Sequence, residues 1–438
     1  MKKLIVLGGG ESGVGAALLA KKNGYDVFVT DKGTISDKEV LTNNEIKWEE
    51  GNHSLSEILS ADEVVKSPGI PDTIKLISDI KDSGIPIISE VEFAYRYTNA
   101  KIVAITGSNG KTTTTLLVGH ILEKAGYDVL VAGNVGTGFA KSLLERDYDY
   151  IVLELSSFQL DGIVDFKADV AILLNITPDH LDRYDDKFEN YVKSKLKITN
   201  NQTEKDVFIF NYDDVNIKNR TETKAIKIPF SLHKEFENNA AFYKNEQINI
   251  NINNNKMTIQ QLALQGRHNV YNSMAAAVAS RVLEVKDFIT RQALLDFKNV
   301  EHRLEHVINI HGIEFINDSK ATNINSVWFA LETMHKDTVW IVGGVDKGND
   351  YEDLLPLVRE KVKAIVCLGE DNEKLKAVFY NVVDMMIETA GAEEAVKVAY
   401  KLSQTGDTVL LSPACASFDL FDNYEDRGRQ FKNAVRSL

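Results

Sequence analysis

Short apolar runs that end in polar turns recur along the whole chain, and most lead into stretches with helical spacing. Leu4 to Leu7, Asp26 to Thr30, Val64-Val65, Ile102 to Ile105, Tyr150 to Glu154 and Val170 to Asn175 read as strands. So do Glu314 to Asn317, Val339 to Val342, Ala364 to Leu368 and Thr408 to Ser412. Runs of this kind, alternating with helical stretches, predict parallel α/β sheets throughout. They fall into three blocks, at 1–98, 99–300 and 301–438. One stretch differs: 238–256 is rich in Asn and alternates at Ile248-Asn249-Ile250-Asn251-Ile252, which suits an exposed hairpin better than a core strand. An Ala-rich helix is expected from about Asn269. No block repeats another at a fixed period, so a solenoid is excluded.

Composition changes this picture little. The 438 residues allow two to four domains, with 44% hydrophobic and 26% charged residues as in ordinary globular proteins. A formal net charge of −14 argues against binding nucleic-acid backbone or an anionic membrane. Two cysteines, Cys367 and Cys415, imply no disulfide framework and suit a reducing compartment. The opening Met1-Lys2-Lys3-Leu4-Ile5-Val6-Leu7 is too short for a signal-peptide core, and no run approaches a membrane span. A cytoplasmic protein is the expectation.

The strongest chemical signal is Thr106-Gly107-Ser108-Asn109-Gly110-Lys111-Thr112, between an apolar strand and the helical start Thr113-Thr114-Thr115-Leu116-Leu117-Val118. Glycines let backbone N–H groups face phosphate oxygens, and the helix N-terminus adds a favourable dipole. Lys111 would reach the terminal phosphates and the Thr112 hydroxyl would ligate Mg²⁺, so ATP and Mg²⁺ are expected here. The spacing departs from the common phosphate loop, because Ile105 stands where a first glycine usually lies. The dipole alone contributes about 0.3–1 kcal/mol, so the lysine and a metal must neutralise most of the triphosphate charge.

Other polar turns follow strands. Gly8-Gly9-Gly10-Glu11-Ser12-Gly13 with Asp31 has the form of a nucleotide-binding βαβ start, open to NAD, FAD or a purely structural turn. Ser67-Pro68-Gly69 ends another strand. Glu154 reads equally as a metal ligand or a solvated strand end, and His180 as a structural residue or a second ligand. Lys193, Lys195 and Lys197 alternate on one stretch, and nothing in their spacing prefers one of them. In the third block Asn317-Asp318-Ser319-Lys320-Ala321-Thr322, Gly343 to Gly348 and Ser412 to Asp419 each follow a strand. Together they point to one sheet rim that suits a small anion.

Seven ordered stretches carry a resemblance: Thr106 to Thr112, Glu154-Leu155-Ser156-Ser157-Phe158-Gln159-Leu160, Asn175-Ile176-Thr177-Pro178-Asp179-His180-Leu181-Asp182-Arg183, Gly266-Arg267-His268-Asn269 with Asn272, His302-Arg303, Asn317 to Thr322, and Ser412-Pro413-Ala414-Cys415-Ala416-Ser417. In this set the whole chain resembles the ATP-dependent Mur ligases of peptidoglycan synthesis, and among them those that add D-glutamate. An Asp-Asn-Pro-Arg motif, which would mark the diaminopimelate- or lysine-adding members, is absent from the sequence.

The resemblance implies three domains: a Rossmann-like N-terminal domain, a central P-loop ATPase-like domain and a Rossmann-like C-terminal domain. It implies that the first binds the UDP of UDP-N-acetylmuramoyl-L-alanine through Ser12, Asp31, Ser67 and Gly69, with Asn134 on the muramyl part or the γ-phosphate. ATP would lie on Gly107, Ser108, Asn109, Gly110, Lys111, Thr112 and Thr113, with Asn272, Arg303 and Asp318 on adenine, phosphate and ribose. Two Mg²⁺ ions would be held by Thr112, Glu154, His180 and a carbamoylated Lys195, matched through Tyr191 and Ile198. Lys111, His180 and Lys195 would be the catalytic set. D-glutamate would meet Lys320, Thr322, Lys347 and Ser417, and Tyr424 stands where the family often has phenylalanine. Ser194 replaces a common alanine. The implied enzyme is a monomer. A different Mur ligase, a folylpolyglutamate-synthase-like ligase and a non-catalytic nucleotide-sugar sensor are the other readings.

Overall fold

Leu4-Ile5-Val6-Leu7, fully buried, becomes the centre of a five-stranded parallel sheet in order β3-β2-β1-β4-β5. Its strands are β1 Lys3–Leu7, β2 Asp26–Asp31, β3 Lys47–Glu50, β4 Glu63–Lys66 and β5 Ile87–Ser89. The computed structural model describes all residues except 36, 221, 265, 298–300, 335, 336 and 347, and except the side chain of 325.

The second sheet contains β6 Lys101–Thr106, β7 Val129–Gly133, β8 Tyr150–Glu154, β9 Val170–Leu173, β10 Val207–Asn211 and β11 Ile226–Ser231. It continues through β12 Ala240–Lys244, β13 Gln247–Ile252 and β14 Asn255–Ile259, in spatial order β14-β13-β12-β11-β10-β9-β6-β8-β7. Parallel pairing holds from β7 to β12, and β12-β13-β14 is an antiparallel meander. The expected hairpin is there, but its exposure is corrected: Ile248, Ile250 and Ile252 are buried. Alternation marks one apolar face, and that face is covered rather than open to water.

The third sheet runs β15-β16-β20-β17-β18-β19. Its strands are β15 Glu305–Ile310, β16 Ile313–Asn317, β17 Thr338–Gly343, β18 Val362–Leu368, β19 Met385–Thr389 and β20 Thr408–Ala414. All pairings are parallel except β15 with β16, which corrects the expectation of parallel pairing throughout. Trp340 is fully buried in this sheet and its indole donates to the Ser412 carbonyl at 2.7 Å.

These sheets belong to two compact units. One holds residues 1–262 and 271–297 with the first two sheets, and the other holds 263–270 and 298–438 with the third. Within the first unit the two sheets are tied by buried side chains. Glu92 accepts from the backbone N–H groups of Val164, Asp165 and Phe166 at 2.8–3.0 Å, and Ser89 N–H donates to the Gly162 carbonyl at 2.8 Å. No helix of the described residues is long and apolar enough to cross a membrane.

Candidate active site

β6 lies between β9 and β8, and its C-terminal end opens into a tight loop before the helix Lys111–Lys124. Gly110 ends that loop at φ +82°, and a Cβ there would lie 2.3 Å from Asn272 Oδ1. Only glycine permits both the conformation and the approach. Asn175 clamps the loop, its Oδ1 accepting from Asn109 N–H at 2.8 Å and its Nδ2 donating to the Asn109 carbonyl at 3.0 Å. The Ser108 hydroxyl donates to the Thr177 carbonyl at 2.8 Å and accepts from Thr177 N–H at 2.9 Å. Lys111 Nζ donates to the Gly107 and Ser108 carbonyls, both at 2.9 Å. Thr112 and Thr113 are buried in the first helical turn.

Lys195 converges on the same loop. Only 1% exposed, its Nζ donates to the Gly107 carbonyl at 2.8 Å and lies 4.7 Å from the Tyr191 ring centroid. Burial first, and then the ammonium of Lys111, hold Lys195 well below the usual lysine range. A neutral amine is the form that can react with CO₂, and the resulting carbamate would turn a repelling cation into a metal-binding anion. Glu154, at the end of β8, is buried; its Oε1 accepts from Asn134 Nδ2 at 3.0 Å, whereas its Oε2 has no hydrogen-bond partner among the described residues. A buried carboxylate oxygen left bare beside a phosphate loop fits a cation. His180 stands at φ +52°, its Nε2 3.7 Å from Asp179 Oδ2 and its ring 5.2 Å from that of Phe158.

At the rim of the first sheet, Ser12 opens the helix Glu11–Lys22 directly after the glycine turn. Asp31 is occupied by the backbone: Oδ2 accepts from Gly9 N–H at 2.6 Å and Oδ1 from Gly33 N–H at 2.7 Å. Its carboxylate therefore shapes the glycine turn. The Ser67-Pro68-Gly69 turn is held by Arg183, whose guanidinium donates to the carbonyls of Pro68, Gly69 and Ile70 at 3.2–3.3 Å and stacks 4.4 Å over Phe158. Ser12, Asp31, Ser67, Gly69 and Asn134 thus lie in one unit with the phosphate loop.

In the second unit the three polar turns follow the neighbouring strands β16, β20 and β17. Arg427, fully buried on the helix Tyr424–Arg436, links them: it donates to the Ser319 hydroxyl at 3.0 Å, to the Ser319 carbonyl at 2.9 Å, to the Cys415 carbonyl at 3.2 Å and, at 3.5 Å, to the Gly343 carbonyl. Lys320 Nζ lies 5.3 Å from the Tyr424 ring centroid, a cation–π contact that phenylalanine would also make. Ser417 is buried at the third turn, and Thr322 N–H donates to the Lys320 carbonyl at 3.0 Å. Lys347 lies outside the described residues. Asp318 accepts from the Ser412 hydroxyl at 2.9 Å and Leu304 N–H at 3.1 Å, and burial pushes its carboxyl up to about 6 against the opposing pull of Arg303.

Three family models cover nearly the whole chain: the Mur ligase MurD-like N-terminal domain at 2–89, the Mur ligase middle domain at 105–280 and the Mur ligase glutamate ligase domain at 302–415. The chain belongs to the Mur ligase family. Among curated relatives, the UDP-N-acetylmuramoylalanine–D-glutamate ligase of Christiangramia forsetii is 56% identical over the full length of both chains. That of Bacteroides fragilis is 53% identical, also over both full lengths, and that of Salinibacter ruber is 43% identical over 99% of this chain and 97% of its own. In fold, this Mur ligase is similar to MurC of Thermotoga maritima, with a TM-score of 0.63 at 19% identity, covering 100% of this chain and 99% of that one. MurF of Acinetobacter baumannii gives 0.64 at 18%, covering 99% and 90%.

Several residues that build the site of this Mur ligase carry no signal of their own in the sequence. Asn175 sits in a quoted motif, yet nothing there says that its amide clamps the loop on both sides. Arg427 reads as one more charge on an amphipathic helix, and only the burial of its guanidinium reveals it. Glu90 and Glu92 are close in sequence and look like solvated acids before the fold buries both.

Proposed function

We propose that this Mur ligase adds D-glutamate to UDP-N-acetylmuramoyl-L-alanine, using ATP to activate the alanyl carboxylate, in peptidoglycan precursor synthesis. The observation that carries the chemistry is the convergence of Lys111 and Lys195 on one carbonyl of the phosphate loop, in the same sheet rim as the bare oxygen of Glu154. The substrate choice rests on relatives of that printed name at 43–56% identity.

The three blocks 1–98, 99–300 and 301–438 then act as UDP-substrate, ATP and amino-acid domains. Ser12, Asp31, Ser67 and Gly69 hold the UDP part, and Asn134 meets the muramyl substrate. Gly107 to Thr113 wrap the triphosphate, Asn272 meets adenine, and Arg303 and Asp318 serve phosphate and ribose. Lys320, Thr322, Lys347, Ser417 and Tyr424 form the D-glutamate site.

Carboxylate and amine do not condense in water, so a leaving group has to be made first. The alanyl carboxylate attacks the γ-phosphate, giving an acyl phosphate and ADP. The D-glutamate amine then attacks that carbonyl and phosphate departs. Lys111 lies where charge builds on the transferring phosphoryl group. Mg²⁺, two ions in this reading, would be held by Thr112, Glu154, His180 and carbamoylated Lys195, and would neutralise phosphate charge. In this reading the enzyme works in the cytoplasm as a monomer.

The test is phosphate release from ATP and Mg²⁺ with UDP-N-acetylmuramoyl-L-alanine, offering D-glutamate, L-glutamate, L-lysine or L-alanine. Release with D-glutamate alone is expected. Release with another amino acid would keep the ligase and overturn the specificity, and no release with any would return the chain to a sensor.

A further inference from the structure

The loop that carries Asn134 is gripped at both ends. At its start Gly133 has φ +101°, and a Cβ there would lie 2.3 Å from the Glu154 carbonyl oxygen. Asn134 N–H donates to that carbonyl at 2.9 Å, in addition to the side-chain bond to Glu154 Oε1. The far end is held by two carboxylates from the first sheet's helices. Glu11 Oε1 accepts from Gly138 N–H at 3.2 Å, and Glu90 Oε1 accepts from Ala140 N–H at 2.5 Å. The Gly138 backbone lies beside the nucleotide turn, in ordinary van der Waals range: a Cβ on it would stand 3.7 Å from Ser12 Cα.

Glu90 is costly where it is. It is 4% exposed, its one hydrogen bond among the described residues comes from a backbone N–H, and the charge of Glu11, which has the same sign, acts against its ionisation. Burying a carboxylate on such terms lowers stability, and a glutamine would fill the same space and keep the acceptor. Acids held against their own solvation cluster where function requires them.

We propose that Glu90 and Glu11 are positioning residues that fix the loop Gly133–Gly138 against the nucleotide turn and so set the affinity for the UDP-linked substrate. Neither touches the reacting atoms. They act through the Gly138 and Ala140 amides on Asn134, and the proposal rests on the reading above that Asn134 meets the muramyl substrate. Because Asn134 also bonds Glu154, the loop places the substrate and the metal-binding carboxylate in one frame.

The experiment compares Glu90→Gln, Glu11→Gln and Asn134→Ala in the full chain, with KM for each substrate, kcat and melting temperature. Both glutamine variants should raise KM for UDP-N-acetylmuramoyl-L-alanine roughly five- to tenfold, as expected for weakening a charge-assisted hydrogen bond. KM for ATP and D-glutamate should stay within about twofold, a split that a general loss of stability would not produce. Glu11 is exposed, so its variant keeps the test valid if Glu90→Gln does not fold. An unchanged KM for the UDP substrate in both glutamine variants would overturn the proposal. A raised KM in them with no effect in Asn134→Ala would remove Asn134 from the substrate site and overturn the route through the loop. Absence of D-glutamate-dependent phosphate release by the parent protein would instead be a failure of the functional reading.

Discussion

Lys195 sits where an ammonium ion is disfavoured twice, by burial and by Lys111. If carbamoylation is what resolves this conflict, Lys195→Ala should lose roughly a hundredfold or more in turnover. A small added carboxylate should restore part of it, and no restoration in a folded variant would count against the carbamate. Lys111→Ala should reduce ADP formation by roughly 10²–10³-fold, as expected for losing a preorganised charge, with UDP-substrate binding preserved in calorimetry. Equal loss of both would contradict separate sites. Glu90 gives the clearest pH signature. Burial lifts its carboxyl from 4.5 to about 7, Glu11 being the facing acid. The folded state therefore keeps a proton that the unfolded chain releases. The stabilisation is complete below pH 4.5, falls as pH rises to 7 and is gone above that. Glu90→Gln should thus gain up to roughly 3 kcal/mol over the parent at pH 8 relative to pH 4, read by denaturant melts at the two pH values.

Strands that end in polar turns were legible because a buried parallel strand needs an unbroken apolar run, as in Ile102 to Ile105 or Thr408 to Leu411. Others were not. β3, Lys47–Glu50, has no apolar run, and β19, Met385–Thr389, has one face still open, with Met385 and Ile387 exposed. Periodicity likewise showed that Ile248, Ile250 and Ile252 share a face, but not what covers it. The phosphate loop could be read from its glycines and its lysine. The elements bracing it could not, because a brace such as Asn175 or Arg427 is defined by partners far along the chain. Arg427 joins the Ser319 and Cys415 turns from one helix. Arg427→Met should leave buried carbonyls without donors, costing roughly 3 kcal/mol in stability. It should also raise KM for D-glutamate more than that for ATP, which steady-state kinetics would show.

On the scale of the whole chain, the two sheets of the first unit are fastened by Glu92, Glu90 and Arg183, so they should unfold together rather than in turn. Saturating UDP-N-acetylmuramoyl-L-alanine at a hundred times its Kd should stabilise that transition by about 2.7 kcal/mol and leave the other unit's transition in place. A shift of both by the same amount in scanning calorimetry would argue against separable units. The separation has a further consequence for how such an enzyme changes over time. The phosphate loop, Glu154 and Lys195 lie in residues 1–262 and 271–297, whereas Arg303, Asp318 and the three turns braced by Arg427 lie in the other unit. A grafted C-terminal portion would therefore carry its own counterparts of Arg303 and Asp318 along with the turns, so that a lineage could exchange the incoming building block, keep the phosphate loop and rewrite its wall chemistry one module at a time.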